Sequence, residues 1–241
     1  MSLPLRAAMI PSTDVSEERL RELWRLRLEM LTLTRSEEQD WEEFQTAVVG
    51  PDRFVFVFTD PEDTAQGFFT IAMLPVDVDD RRMLLMFSKF FYFRSAYRGH
   101  PKTILVPWKL VPVALRRFGF RSLHFVTTAF PQSYVSLTRT AGRTWSLRED
   151  AAPGWAKKAL VAFGTAFYPN TFDPSQGLVT GANVADSDSL PRSEEARRLA
   201  ERYERLNPGW RDGTTLPILF SVDTRLIRHN LTRVIRRTLR R

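Results

Sequence analysis

The sequence predicts a mixed α/β domain in which a largely antiparallel, twisted sheet is flanked by helices and followed by a C-terminal helical extension. Two amphipathic helical patterns come first, runs of β-forming residues follow, and the order strand, turn, helix then occurs twice. With 241 residues, 43% of them hydrophobic, the chain is long enough to bury a sizeable core. We expect residues 1–150 to form the core of the fold and residues 151–241 to complete it.

Two helices and three strands are predicted in the first part of the chain. Leucines and Trp24 at helical spacing predict a helix that has Asp14 as its cap and ends near Thr34. A second helix is predicted from Ser36 to Val49, with an acidic first turn that suits the helix dipole. Runs of β-branched and aromatic residues predict strands at 53–59, 66–76 and 84–93.

The later elements follow from the same signals. Pro101 suits the first turn of a helix, and Gly119 marks its end. Further predicted elements are a strand at 121–128, a helix from 131, helices at 155–167 and 193–206, and a strand at 216–222. Pro217 favours an edge position for the last strand. Residues 168–190 have no periodicity, so we expect a functional lid or a mobile linker there.

The turn between the third predicted strand and the next helix is strongly basic. Arg94, Arg98, His100 and Lys102 lie within nine residues. A strand that leads into a helix start directs backbone amides and the positive end of the helix dipole towards one point, where an anion such as a pyrophosphate can bind. The sequence therefore predicts a phosphate site at this turn, with a solvated basic turn as the alternative.

This strand, turn and helix resemble the acyl-CoA-binding signature of the GNAT acyltransferase superfamily. In that signature an Arg or Gln is followed three residues later by Gly and two residues after that by Gly or Ala. Arg98 matches the first position, and Pro101 and Thr103 stand at the other two. In the next strand and helix, Leu137 and Gly142 also match the family. The resemblance covers roughly residues 15–147 and implies a GNAT-like fold in a divergent member.

The resemblance implies an N-acyltransferase that moves an acyl group from acyl-CoA or an acyl carrier protein to an amine. The donor, an acyl-CoA or acyl-phosphopantetheine, is a co-substrate, and no metal is implied. The implied donor-binding residues are Arg94, Arg98, Gly99, His100, Lys102 and Thr103. The alternative is a catalytically silent GNAT-fold module that binds a protein partner or an anionic membrane surface. The central strand has no Asp or Glu that could act as the catalytic base, and this absence favours the alternative.

Two residues are candidates for catalysis. Thr138 stands where the family often has its Tyr general acid, and Tyr134 lies one helical turn before it. Tyr134 could therefore protonate the departing thiolate, or it could be a packed aromatic residue. His124 is the second candidate, with a histidine on the core or the sheet face as the alternative.

Composition limits the other functions. Residues 225–241 contain seven Arg and no acid, and without them the chain has 28 basic and 28 acidic residues. This amphipathic tail could pack on the body or bind an anionic membrane surface, whereas nucleic acid is a weaker choice because no aromatic residue is interleaved. The chain has no Cys and three scattered His residues, so we expect neither disulfides nor a zinc site. We expect a soluble cytoplasmic protein, peripheral at the membrane if the tail binds lipid.

Overall fold

A computed structural model describes residues 4–31, 33, 36–98, 100, 102–119, 122–141, 143–181, 193–222 and 232. The elements in chain order are β1 (Arg6–Pro11), α1 (Glu17–Leu28), α2 (Glu37–Val48), β2 (Arg53–Thr59), β3 (Ala65–Val78), β4 (Arg81–Phe93), α3 (Lys102–Leu105), α4 (Leu110–Phe118), β5 (Ser122–Ala129), α5 (Pro131–Ala141), α6 (Gly154–Phe167), β6 (Phe172–Asp173), β7 (Leu178–Val179), α7 (Glu194–Leu206) and β8 (Leu216–Ser221). Short 3₁₀ turns join several of them.

Six strands form one sheet in the order β1-β2-β3-β4-β5-β8. Antiparallel pairing joins β1 to β2, β2 to β3 and β5 to β8. A two-residue turn at Asp79 and Asp80 connects β3 to β4, and so short a connection requires antiparallel neighbours. The protein is therefore a mixed α/β fold with a mostly antiparallel sheet and flanking helices, as the sequence predicts.

The chain divides into two compact units, and β3 and β4 contribute to both. The first unit takes in residues up to Met73 and Phe87–Gly119, and in its core α1 and α2 pack against β2 and β3. The second unit takes in Leu74–Met86 and Phe120–His229, and one of its buried clusters joins α5, α7 and β8. The predicted division at residue 150 stays a prediction.

Helix starts follow capping chemistry, with one correction. Ser36 and Ser193, the first residues of two predicted helices, are N-caps, because each hydroxyl accepts a hydrogen bond from the backbone N–H three residues later. The predicted cap at Asp14 is wrong. Asp14 belongs to a 3₁₀ turn, and it is the Ser16 hydroxyl that accepts from the Arg19 N–H. The helix α1 ends at Leu28, earlier than predicted.

Three further differences have local causes. The helix predicted from Pro101 to Gly119 is divided into α3, a 3₁₀ turn at Val106–Lys109 and α4. Pro107 lies in the 3₁₀ turn, where its missing N–H removes an α-helical hydrogen bond. The sequence pattern missed β1, and it also missed the short pairing of β6 with β7. The predicted edge position of β8 is confirmed, and the predicted tail helix at 225–241 lies outside the described residues apart from residue 232.

Candidate functional site

In the basic turn after β4, His100 accepts hydrogen bonds from the first backbone N–H groups of α3. The Lys102 backbone N–H donates to His100 Nδ1 (3.2 Å), and the Thr103 N–H donates to the His100 carbonyl (3.0 Å). The Thr103 side chain is buried, and its hydroxyl donates to the same carbonyl (2.7 Å). These two amides are therefore occupied by His100, and an anion would have to displace the imidazole to reach the Lys102 N–H.

Arg94 belongs to a structural network. Its guanidinium makes two hydrogen bonds to the Glu29 carboxylate (2.9 and 2.7 Å) and one to the Gln66 side-chain oxygen (3.1 Å). The hydrogen bond from Arg94 lowers the pKa of Glu29, and the same bond raises the pKa of Arg94. Phosphate binding by Arg94 would require this network to open, so its predicted role in donor binding stays a prediction.

Arg98 is the more available cation. Its side chain is exposed, and Nε donates to the Phe93 carbonyl at the end of β4 (3.0 Å). Across the part of the chain that the structure describes, no carboxylate forms an ion pair with Arg98. Lys102 is also exposed, although its ammonium donates to the Leu5 carbonyl (2.5 Å). Gly99, the remaining predicted donor-binding residue, lies outside the described residues.

Just before this turn, β4 contains a backbone conformation that a bulky residue rarely adopts. Phe90 has a φ of 56°, in the left-handed region. Inside a strand, such a residue indicates a β-bulge, which locally interrupts the regular ladder. Bulges and strained residues concentrate at functional sites. Sequence reasoning missed this position because a Phe gives no signal of positive φ, whereas Gly or Asn would.

A buried ion pair lies behind Phe90 in the same unit. Arg27 is 5% exposed and Asp40 1% exposed, and the pair is bidentate. Trp24 Nε1 also donates to the Asp40 carboxylate (2.8 Å). The Phe90 ring centroid lies 5.1 Å from that of Phe44 and 5.6 Å from the Arg27 guanidinium carbon. Packing and charge together hold the strained residue in place.

Tyr134 is buried in the second unit. It is 0% exposed and packs in the cluster with Tyr203, with ring centroids 5.4 Å apart. Burial raises the pKa of Tyr134, so the phenol is protonated at neutral pH. Its hydroxyl has no well-formed hydrogen bond among the described residues, although the Thr138 and Thr144 hydroxyls approach closely enough to act on its pKa. Packing is evident, and a catalytic role stays a prediction.

His124 lies on β5, buried beneath Trp155. Its Nε2 lies 3.2 Å from the Ser122 hydroxyl and its Nδ1 lies 3.1 Å from the Ser221 hydroxyl. Burial lowers the pKa of His124 to about 4. The imidazole is therefore neutral at neutral pH, and it is a weaker base than a histidine whose pKa is near 7. Its predicted catalytic role also stays a prediction.

Within the described residues, no group of three or more His, Asp or Glu side chains is arranged to hold a metal ion. Among the described helices, none combines the length and the apolar character that crossing a membrane requires.

Comparison with known proteins gives similarity at the level of structure. No family model matches the chain, and no curated protein matches it. One similar solved structure is a probable N-acyltransferase of unknown function from Enterococcus faecalis V583, with 14% identity and a TM-score of 0.42. The match covers 58% of this chain and 32% of that one, so the chain spans about a third of that protein's length.

Two smaller proteins are similar over most of their own length. An aminoglycoside antibiotic 6'-N-acetyltransferase from Acinetobacter baumannii is 12% identical, with a TM-score of 0.43 over 58% of this chain and 88% of that one. An acyl-CoA N-acyltransferase from Pseudomonas aeruginosa is 15% identical, with a TM-score of 0.42 over 61% of this chain and 92% of that one. These three proteins are similar to the chain in structure, at identities of 12–15% and TM-scores of 0.42–0.43.

Proposed function

We propose that this protein is an N-acyltransferase that moves an acyl group from a phosphopantetheine thioester to an amine. The observation that carries the proposal is the left-handed backbone of Phe90, which indicates a bulge shortly before the basic turn on the same strand. A bulge frees a backbone N–H from the ladder, and such a group can stabilise the oxyanion of a thioester under attack. Arg98 supplies an exposed cation for a donor phosphate a few residues further on.

In the proposed reaction, one covalent bond forms and one breaks. The amine nitrogen attacks the thioester carbonyl, the C–N bond forms and the C–S bond breaks. A proton leaves the amine for water, because β4 has no carboxylate to accept it. The thiolate receives a proton from the Tyr134 hydroxyl, which burial keeps protonated, and the resulting tyrosinate takes a proton back from water. An acyl carrier protein is included as a donor because its arm presents one phosphate, within reach of a single arginine.

Arg98→Ala is expected to weaken binding of CoA by about 1.5–3 kcal/mol, the scale of a charge-assisted hydrogen bond. Calorimetry at low salt measures this as a roughly 10- to 150-fold rise in Kd. The matched control is Arg116→Ala, which removes the same charge from an exposed position in the last turn of α4. Equal affinities of the two variants, or no binding by the wild type, would reject the phosphate site.

Tyr134→Phe is expected to lower turnover by about 100-fold, the scale of a lost general acid. Its thermal stability should change little, because the Tyr134 hydroxyl makes no well-formed hydrogen bond among the described residues. Tyr203→Phe is the matched control. The Tyr203 hydroxyl donates to the Ala129 carbonyl (2.5 Å) and accepts from Asn207 Nδ2 (3.0 Å), so this variant should lose stability and keep its turnover.

If Tyr134→Phe retains full turnover, Tyr134 is a packing residue and water must protonate the thiolate. Donor binding without turnover on any amine would instead favour the alternative, a silent GNAT-fold module. An anionic membrane surface bound through residues 225–241 belongs to that alternative, and those residues lie outside the described part of the chain apart from residue 232.

A further inference from the structure

The second unit contains a cavity of about 410 Å³ that acyl transfer does not use. It is lined by Arg81, Arg82, Ser122, His124, Trp155 and Ser221. Its volume is in the range of small-molecule sites, which combine an apolar wall with a few convergent polar groups. Each of these side chains comes from a strand or helix of the same unit.

The polar side of the cavity, here called the floor, consists of Ser122, His124 and Ser221, which are joined by hydrogen bonds. His124 and Ser221 are directly opposite each other on β5 and β8, and Ser122 is two residues before His124 on the same face. Each ring nitrogen of His124 is hydrogen-bonded to a serine hydroxyl. A neutral imidazole donates through one nitrogen and accepts through the other, so one serine keeps its hydroxyl proton for a further partner. The floor can therefore donate one hydrogen bond to a ligand.

The aromatic wall is Trp155, at the start of α6. Its ring centroid lies 5.1 Å from that of His124 and 5.1 Å from that of Trp145, which packs edge-on behind it. Trp145 is fixed in turn by backbone hydrogen bonds to Leu219 on β8 (2.9 and 2.8 Å). Trp155 is partly exposed and is held by Trp145 and His124, so its ring offers a fixed apolar surface to a planar group.

The charged residues that line the cavity are Asp80, Arg81 and Arg82. Asp79 and Asp80, with φ of 47° and 59°, form the tight turn that leads into Arg81 and Arg82. An ion pair between Asp79 and Lys158 ties this turn to α6, the helix that also carries Trp155. Both arginines are exposed, and neither forms an ion pair within the described chain. With Asp80, the charged groups that line the cavity sum to a net +1.

We propose that this cavity binds a small planar aromatic carboxylate, with its ring on Trp155 and its carboxylate between the arginines and the serine hydroxyl. A guanidinium matches a carboxylate in a bidentate geometry, and an indole favours a flat ring over a puckered one. The proposal is independent of the proposed acyl transfer, because Phe90, Arg98 and Tyr134, the residues assigned to that reaction, do not line the cavity.

The test is calorimetry at neutral pH with benzoate, benzamide and cyclohexanecarboxylate as probes. We expect benzoate to bind, and both the uncharged benzamide and the non-planar cyclohexanecarboxylate to bind at least roughly tenfold more weakly. The double variant Arg81→Ala/Arg82→Ala should lose the preference for benzoate over benzamide. Arg197→Ala, an exposed arginine of α7 outside the cavity, should retain it.

The variant Asp80→Asn tests whether the cavity prefers an anionic or a cationic ligand. Removing this carboxylate should tighten benzoate binding, whereas a cationic ligand would bind more weakly after the same change. Binding of CoA should be unaffected in all of these variants, so a failure here is separate from a failure of the acyl-transfer proposal. Absence of benzoate binding at millimolar concentration, or equal binding of all three probes, would overturn the proposal.

Discussion

Asp40→Asn is expected to lower the free energy of unfolding by about 3–5 kcal/mol, the cost of breaking a buried ion pair by removing one charge. Arg27 would stay in the core, 5% exposed, with no negative partner. Burial acts to lower the pKa of Arg27, but the hydrogen bond to Asp40 and the nearby Tyr92 outweigh it, so the pKa is raised. Without the Asp40 carboxylate, the desolvation of the guanidinium loses its largest compensation.

Urea unfolding measures this change. The matched control is Glu194→Gln, which removes one partner of the Arg198–Glu194 pair. Those side chains are 74% and 75% exposed, so the variant should lose no more than about 0.5 kcal/mol. The double variant Arg27→Met/Asp40→Leu should recover part of the loss, since no buried charge remains, although Trp24 Nε1 still loses its acceptor. Equal effects of Asp40→Asn and Glu194→Gln would contradict the argument.

The order of elements and the fold class could be predicted because they depend on periodicity. Strands β2 to β5 and the major helices follow hydrophobic patterns that the sequence displays directly. The buried ion pair also left a signal. Arg27 lies at helical spacing from Leu23 and Trp24, and Asp40 lies at the same spacing from Phe44, so each charge falls on an apolar helix face. A charge on such a face indicates a buried partner.

The candidate site was less predictable because its details depend on backbone geometry. The positive φ of Phe90 follows from tertiary packing, since nothing in the local sequence favours it. The occupation of the Lys102 amide by the His100 imidazole depends on a side-chain conformation. The cavity beside His124 needs Ser221 and Trp155, which are distant in the sequence and meet only through strand pairing and helix packing.

His124 is expected to make the protein less stable as the pH falls from 6.5 to about 4. Its pKa is about 4 in the folded protein, because burial disfavours the charged form, and near 6.5 when unfolded. Between these values the unfolded chain binds a proton that the folded protein does not, so the unfolding free energy falls as the pH falls. A side chain that is 6% exposed and shifted by this much contributes about 3 kcal/mol, fully present above pH 6.5.

The measurement is urea unfolding at several pH values for the wild type and His124→Gln. Asp80, Arg81 and Arg82 line the cavity beside the ring in both proteins, so the difference between the two curves reports the His124 imidazole in the field of these charges. Of these two proteins, only the wild type should show the additional loss of stability below pH 6.5. Ser221→Ala, which keeps His124, should also show this loss. An NMR titration of the His124 imidazole measures the pKa directly in the folded protein. A value near 6.5 would mean that the ring is solvated and would contradict the buried floor of the cavity.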